Sequence, residues 1–114
     1  MRKEIKDKKV GYVLKNYLPR IKEIFNPKEI WLWGSRASGQ AGPYSDIDLI
    51  VVSDRFKRIR FIKRRSTFLK KSGLLYDQKA EVVDALCYTP EEFERKRADF
   101  GIVSEALKKA IRIL

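Results

Sequence analysis

Three acidic residues and one turn of small residues carry the chemistry this sequence offers. In Ser45-Asp46-Ile47-Asp48-Leu49-Ile50-Val51-Val52 the two aspartates are spaced so that both carboxylates fall on one face of a strand. Paired carboxylates repel each other, and burying them without a counter-ion is costly, so the pair suits a divalent cation. Upstream lies Gly34-Ser35-Arg36-Ala37-Ser38-Gly39, with ten residues between Ser35 and Asp46. It follows the strand-favouring run Glu29-Ile30-Trp31-Leu32-Trp33. A strand, a small-residue turn and a helix start expose free backbone N–H groups, a setting for an anion such as phosphate. A lone Asp-x-Asp is as often a turn cap beside an exposed strand position. Here a candidate phosphate cradle adjoins it, and the combination points to a metal-assisted reaction on a phosphate ester.

The segment Ala80-Glu81-Val82-Val83-Asp84-Ala85-Leu86-Cys87-Tyr88 reads as a further strand. It ends at Thr89-Pro90-Glu91-Glu92, where Thr89 is a helix N-cap, Pro90 the first helical residue and the glutamates complement the helix dipole. An aspartate inside such an apolar run needs a partner, which makes Asp84 the candidate third carboxylate. Glu81 has the opposite strand parity and is expected to face solvent. Asp77, after Leu74-Leu75-Tyr76, reads as a turn residue.

Gly34, Ser35, Asp46 and Asp48, followed by a buried strand over Leu49 to Val52, match the pattern Gly-Ser, ten residues, Asp-x-Asp. With it the chain resembles the nucleotidyltransferase superfamily typified by polymerase beta, and more closely its minimal members. The resemblance implies an α/β, polymerase-beta-like nucleotidyltransferase fold in which a small mixed sheet is flanked by helices. It implies two Mg²⁺ ions held by Asp46, Asp48 and Asp84, acting on the attacking and leaving oxygens of an in-line displacement. It also implies that Gly34 and Ser35 grip the phosphates of ATP, with Arg36 adding charge. The small size and the ending Tyr88-Thr89-Pro90-Glu91-Glu92-Phe93-Glu94 resemble minimal nucleotidyltransferases that accompany helical HEPN proteins as antitoxins. In that group AMP passes from ATP to a tyrosine hydroxyl of the HEPN toxin. One position departs: Ser38 stands where the Gly-Ser-Arg-Ala-Arg-Gly version has a second arginine.

Composition narrows the alternatives. The 114 residues contain no histidine, so Ser-His and Cys-His hydrolases are excluded. A chain of this length forms one domain, expected as an N-terminal helical segment over 1–26 and a catalytic core over 28–114. Its size leaves no room for a separate substrate-binding domain, which predicts a homo- or hetero-oligomer. The lone Cys87 lies in an apolar run and is expected in the core. No membrane span or signal peptide is visible, Met1-Arg2-Lys3-Glu4 included, and a cytoplasmic protein is expected. The net charge is +11, and nine basic residues with no acidic one fall in 55–71. That stripe suits RNA, an acidic protein surface or simply a solvated helix face. Two other functions therefore stand beside the enzyme: a non-catalytic nucleotide-binding antitoxin and a basic RNA-binding module on the same fold.

The remaining pattern places these residues. Val10, Val13, Leu14, Tyr17, Leu18, Ile21, Ile24 and Phe25 recur at helical spacing, with Pro19 kinking or dividing the helix. Helix is predicted over much of Phe56 to Lys71, and again over 102–114, where Ile102, Val103, Ala106, Leu107, Ala110, Ile111 and Leu114 keep a helical period. Tyr12, Tyr17, Trp31 and Trp33 are expected to pack in the core, in preference to stacking on bases.

Overall fold

The computed structural model describes residues 5–80 and 82–114. The first four residues and Glu81 lie outside them. Helix α1 (Lys8–Phe25) starts where the Asp7 carboxylate accepts from the amides of Lys9 (3.0 Å) and Val10 (3.1 Å). It runs through Pro19 undivided and ends at Asn26, whose left-handed φ of 42° returns its N–H to the Lys22 carbonyl. Then follow β1 (Glu29–Trp33), the single turn α2 (Ser35–Ser38), β2 (Ile47–Val52), α3 (Phe61–Ser72), β3 (Val83–Tyr88), α4 (Pro90–Ala98), α5 (Ile102–Leu107) and β4 (Ile111–Arg112).

The four strands form a mixed sheet in the order β3-β2-β1-β4, with β2 and β3 parallel and the other neighbours antiparallel. Period-two alternation gives this sheet two unlike faces. Ile30, Leu32, Leu49, Val51, Val83, Ala85 and Cys87 join α1 and α3 in the larger core cluster. At its centre Phe25 meets Phe56 and Phe68 with ring centroids 5.5 and 5.3 Å apart. Ile50 and Val52 point the other way, to Tyr88, Phe93 of α4 and Val103 of α5, with Trp31, Trp33 and Leu86 packed alongside. β2, central and covered on both faces, is almost wholly apolar.

One expectation needs correction and one is sharpened. The helix predicted over much of 56–71 is present as α3, beginning at Phe61. A 3₁₀ turn, Asp54–Arg58, precedes it, because the Ser53 hydroxyl accepts from the Arg55 amide (3.1 Å) and closes that turn first. The C-terminal helix stops at Leu107, and Ile111–Arg112 becomes β4. Helical spacing loses here to tertiary pairing: the open edge of β1 offers the Ile30 amide and carbonyl, which bond the Leu114 carbonyl and the Ile113 amide at 3.1 and 2.7 Å. Helix α4 begins as predicted, with Thr89 and Glu92 in a reciprocal capping box and Pro90 in the first turn. Among the described residues, no helix is long and apolar enough to cross a membrane.

Candidate active site

The strand register brings the acidic residues together. Asp48 of β2 sits opposite Asp84 of β3 on one side and Trp33 of β1 on the other. Residues directly paired share a face, so Asp84, Asp48 and Trp33 form one row across the sheet. The parity is that of Ile50 and Leu86, so the row lies on the α4/α5 face, at the end those helices leave open. Asp46, two residues before Asp48, is exposed where the chain enters β2. The three sequence-predicted carboxylates thus belong to one end of one face.

Asp48 is poised by what is missing around it. Its carboxylate has no hydrogen-bond or ion-pair partner among the described residues. Its pKa is raised above the usual value of 3.8, first by burial and then by the charges of Asp84 and Asp46. Asp84 is provided for: Arg65 of α3 reaches round the sheet edge and donates from Nε to its Oδ1 at 2.5 Å. The Ala85 amide bonds the same oxygen at 2.9 Å. Among the described residues, no three acidic or cysteine side chains are grouped closely enough to hold a metal ion as they stand. The acids therefore stand as a row, with Arg65 occupying one of them.

Gly34 follows Trp33 directly and is fixed by two requirements. Its φ of 75° lies in the left-handed region. A Cβ there would fall 2.5 Å from Asp48 Oδ2. The turn and the carboxylate row therefore touch, and only glycine leaves the space between them open. Gly39, at φ 80°, closes α2, with the Gln40 amide bonding the Ser35 carbonyl at 3.0 Å. Ser35 opens α2 beside this contact.

Arg36 has a different task from the expected phosphate contact. It is 8 % exposed, and its Nε and Nη2 donate to the Ser45 carbonyl at 2.9 and 2.7 Å while Nη1 pairs with Asp7 at 2.8 Å. All of its charge is committed to tying α1, α2 and the 40–45 loop together. It positions Asp46 through the adjoining carbonyl. No signal within the motif distinguishes such an arginine from a phosphate ligand, because its ionic partner, Asp7, lies 29 residues earlier, outside the motif.

The basic stripe is also partly committed. Arg55 donates to the Glu23 and Ile24 carbonyls at the end of α1. Lys57 pairs with Asp54 and Glu91 at 3.4 and 3.1 Å. Arg64 is buried, donating to the Ile59 carbonyl at 2.9 Å and to Glu92 at 2.6 Å. With Arg65 on Asp84, four of the nine basic residues serve the fold or the site, and all of the nine but Arg64 are exposed. Cys87 is a core residue as expected, with burial holding its thiol up at about 12.

The profile of the nucleotidyltransferase domain family matches residues 14–113. A solved structure from Sulfolobus solfataricus, described as a candidate nucleotidyltransferase, aligns with a TM-score of 0.53 at 22% identity and covers 77% of each chain. BolA1 from Arabidopsis thaliana aligns with the same TM-score at 15% identity, covering 68% of this chain and 92% of its own. At such identities these likenesses describe the layering of helices on a sheet and leave the chemistry to the site. Among proteins with curated descriptions, none matches.

Proposed function

Because the chain belongs to the nucleotidyltransferase domain family, whose profile covers residues 14–113, we propose that it transfers AMP from ATP to a hydroxyl group. The acceptor oxygen bonds to the α-phosphorus, pyrophosphate leaves with the bridging oxygen, and the hydroxyl proton passes to solvent. The observation that carries this reading is the Asp48–Asp84 pairing across adjacent strands beside a glycine whose side-chain space must stay open.

The donor set is oxygen only, carries excess negative charge and includes one acid without a partner. That chemistry fits hard divalent cations such as Mg²⁺. In this reading Asp46, Asp48 and Asp84 would hold the ions. When bound, the ions supply charge stabilisation for the attacking and leaving oxygens. Gly34 and Ser35 present backbone N–H groups and a hydroxyl to the phosphates. Arg65 yields Asp84 when that acid is needed. Arg36 keeps Ser45, and with it Asp46, at a fixed height above the sheet.

We extend the reading to the acceptor, a tyrosine of a HEPN-family partner, which makes this chain an antitoxin that works within an oligomer. Support comes from the motif resemblance. Calorimetric titration of ATP, GTP, CTP and UTP with and without Mg²⁺, on the native protein and Asp48→Asn, tests the core of it. Metal-dependent ATP binding that Asp48→Asn removes is expected. Triphosphate binding indifferent to metal and to Asp48 would overturn the enzymatic reading in favour of a nucleotide-binding antitoxin.

A further inference from the structure

At the other end of β3 from Asp84, a pocket of about 400 Å³ opens between the first turn of α3 and helix α4. Tyr88 and Asp84 share a strand face but stand four residues apart, about 13 Å along the strand, so the pocket is separate from the acid row. Phe61 and Tyr88 line it, with ring centroids 5.8 Å apart. Phe61 is 56 % exposed even though its ring is held by Tyr88 and by the Arg64 guanidinium, 5.4 Å from its centroid. With exposed Ile62 beside it, this fixed ring is a contact surface that the core does not use. Tyr88 is only 6 % exposed, and its hydroxyl has no hydrogen-bond partner among the described residues. It is not sealed from solvent, as Trp33 Nε1 is. Polar groups of buried residues are nearly always satisfied, so an open hydroxyl in this wall leaves a place for a ligand atom. The surroundings are cationic. Arg95 and Lys96 line the pocket, and Arg58, Arg60 and Lys63 flank Phe61 along the chain; all five are exposed and without an ion pair among the described residues. Of the two acids in the lining, Glu92 is engaged by Arg64 at 2.6 Å and by the Thr89 amide at 2.8 Å, which leaves Asp99 as a free acceptor.

We propose that this pocket binds single-stranded nucleic acid: a base stacks on Phe61 and bonds the Tyr88 hydroxyl, while Arg95, Lys96, Arg58, Arg60 and Lys63 receive the flanking phosphates. The lining selects for a flat ring and for repeated negative charge, and a strand of nucleotides supplies both. Five unpaired cations exceed what the phosphate of one nucleotide needs, which favours a strand over a mononucleotide. An acidic protein segment would match the charge but leave the ring face and the base-sized pocket unused. The field of a chain with net charge +11 draws polyanions to such a face. Part of the basic run over 55–71 thereby acquires a ligand. The proposal goes beyond the nucleotidyl-transfer reading and does not depend on it, since it uses neither the acids nor the Gly34–Ser35 turn.

The test is fluorescence anisotropy of a labelled single-stranded hexanucleotide against the full chain, without divalent metal, with RNA in one arm and DNA in the other. Phe61→Leu, which keeps apolar bulk and loses the ring, is expected to weaken binding about tenfold with its salt dependence unchanged. Phe61→Trp, which restores a ring, is expected to stay within about twofold of native. Arg95→Ala/Lys96→Ala is expected to weaken binding about tenfold and to lower the slope of log Kd against log salt by about 1. Lys108→Ala/Lys109→Ala, which removes equal charge from the turn before β4, is expected to stay within about twofold of native. Tighter binding in the RNA arm would assign the ligand as RNA, and equal arms would show that base and phosphate alone are read. A neutral Phe61→Leu, or equal weakening by the two charge pairs, would reduce the effect to overall charge and overturn the inference. An acidic peptide that displaces the strand with the same dependence on Phe61 would overturn it in favour of a protein ligand. Failure of the native protein to bind either strand would overturn it outright. None of these outcomes bears on Asp48-dependent Mg·ATP binding, so this inference and the function reading fail separately.

Discussion

Asp77 and Asp48 are the same residue in opposite circumstances. Asp77, on the turn after α3, accepts from the Tyr12 hydroxyl at 2.7 Å, from the Tyr17 hydroxyl, and from the amides of Lys79 (2.8 Å) and Ala80 (3.3 Å). Those donors, the tyrosines first, pull its pKa down to about 2. In return the Tyr17 hydroxyl is pushed up to about 12, above all by its hydrogen bond to Asp77. Asp48 has no donor among the described residues, two acidic neighbours and partial burial, and its pKa moves up. The fold completes one acid and leaves the other incomplete. A carboxylate supplied with its donors is part of the scaffold, whereas one surrounded by like charge waits for something the chain does not contain.

The comparison breaks most visibly at Asp48. Asp48→Asn is expected to abolish AMP transfer, a loss of about a thousandfold or more, worth roughly 4 kcal/mol of barrier. Its unfolding midpoint without divalent metal is expected to equal or exceed that of the native protein, since a repelled charge has been removed. Denaturant unfolding and a transfer assay on the same preparation check both signs. Gly34→Ala comes next. A methyl group 2.5 Å from Asp48 Oδ2 at a left-handed φ is expected to destabilise by about 1–3 kcal/mol and to weaken metal-dependent nucleotide binding along with stability.

At Asp77 the expected pattern reverses. Asp77→Asn leaves Tyr12 and Tyr17 without their charged acceptor, so the thermal midpoint falls at neutral pH, while transfer stays within about twofold of native because the site is untouched. The smallest and sharpest effect is the pH dependence. Asp77 has a lowered pKa, so its stabilisation is present above the ordinary value of 3.8 and lost as pH falls toward about 2. Asp48 has a raised pKa, so the native protein matches Asp48→Asn below 3.8 and loses ground to it as pH rises. Plotted against pH, native minus Asp77→Asn is expected to climb and native minus Asp48→Asn to descend. Parallel curves would show that the two acids are not differently provided for.

Much of this was legible in order along the chain. Alternation through 46–52 and 83–88 placed the acids on one face, since strand parity is local information. The cap at Thr89 and the turn role of Asp77 follow from short-range bonds of the same kind. What the sequence could not disclose depends on distant partners. Arg36 finds Asp7 29 positions earlier, and Arg65 finds Asp84 19 positions later. Tyr12 and Tyr17 reach Asp77 across 65 and 60 residues. β4 has two residues, too few for a period, and exists because β1 had an open edge.

The clamp built around Arg36 has a consequence for anyone who would move this site to another protein. The motif from Gly34 to Asp48 looks portable: a hairpin of β1 and β2 with its turn, local in sequence and self-contained in pattern. It is not, because the loop that delivers Asp46 is fastened by a buried guanidinium whose counter-ion, Asp7, also caps α1. Grafted without that acid, the arginine becomes a buried unpaired charge, which costs about 3–5 kcal/mol, and the loop is freed at the point where it must be still. A transplant needs the first turn of α1 as much as it needs the aspartates, so the smallest movable unit is close to the whole sheet with its first helix.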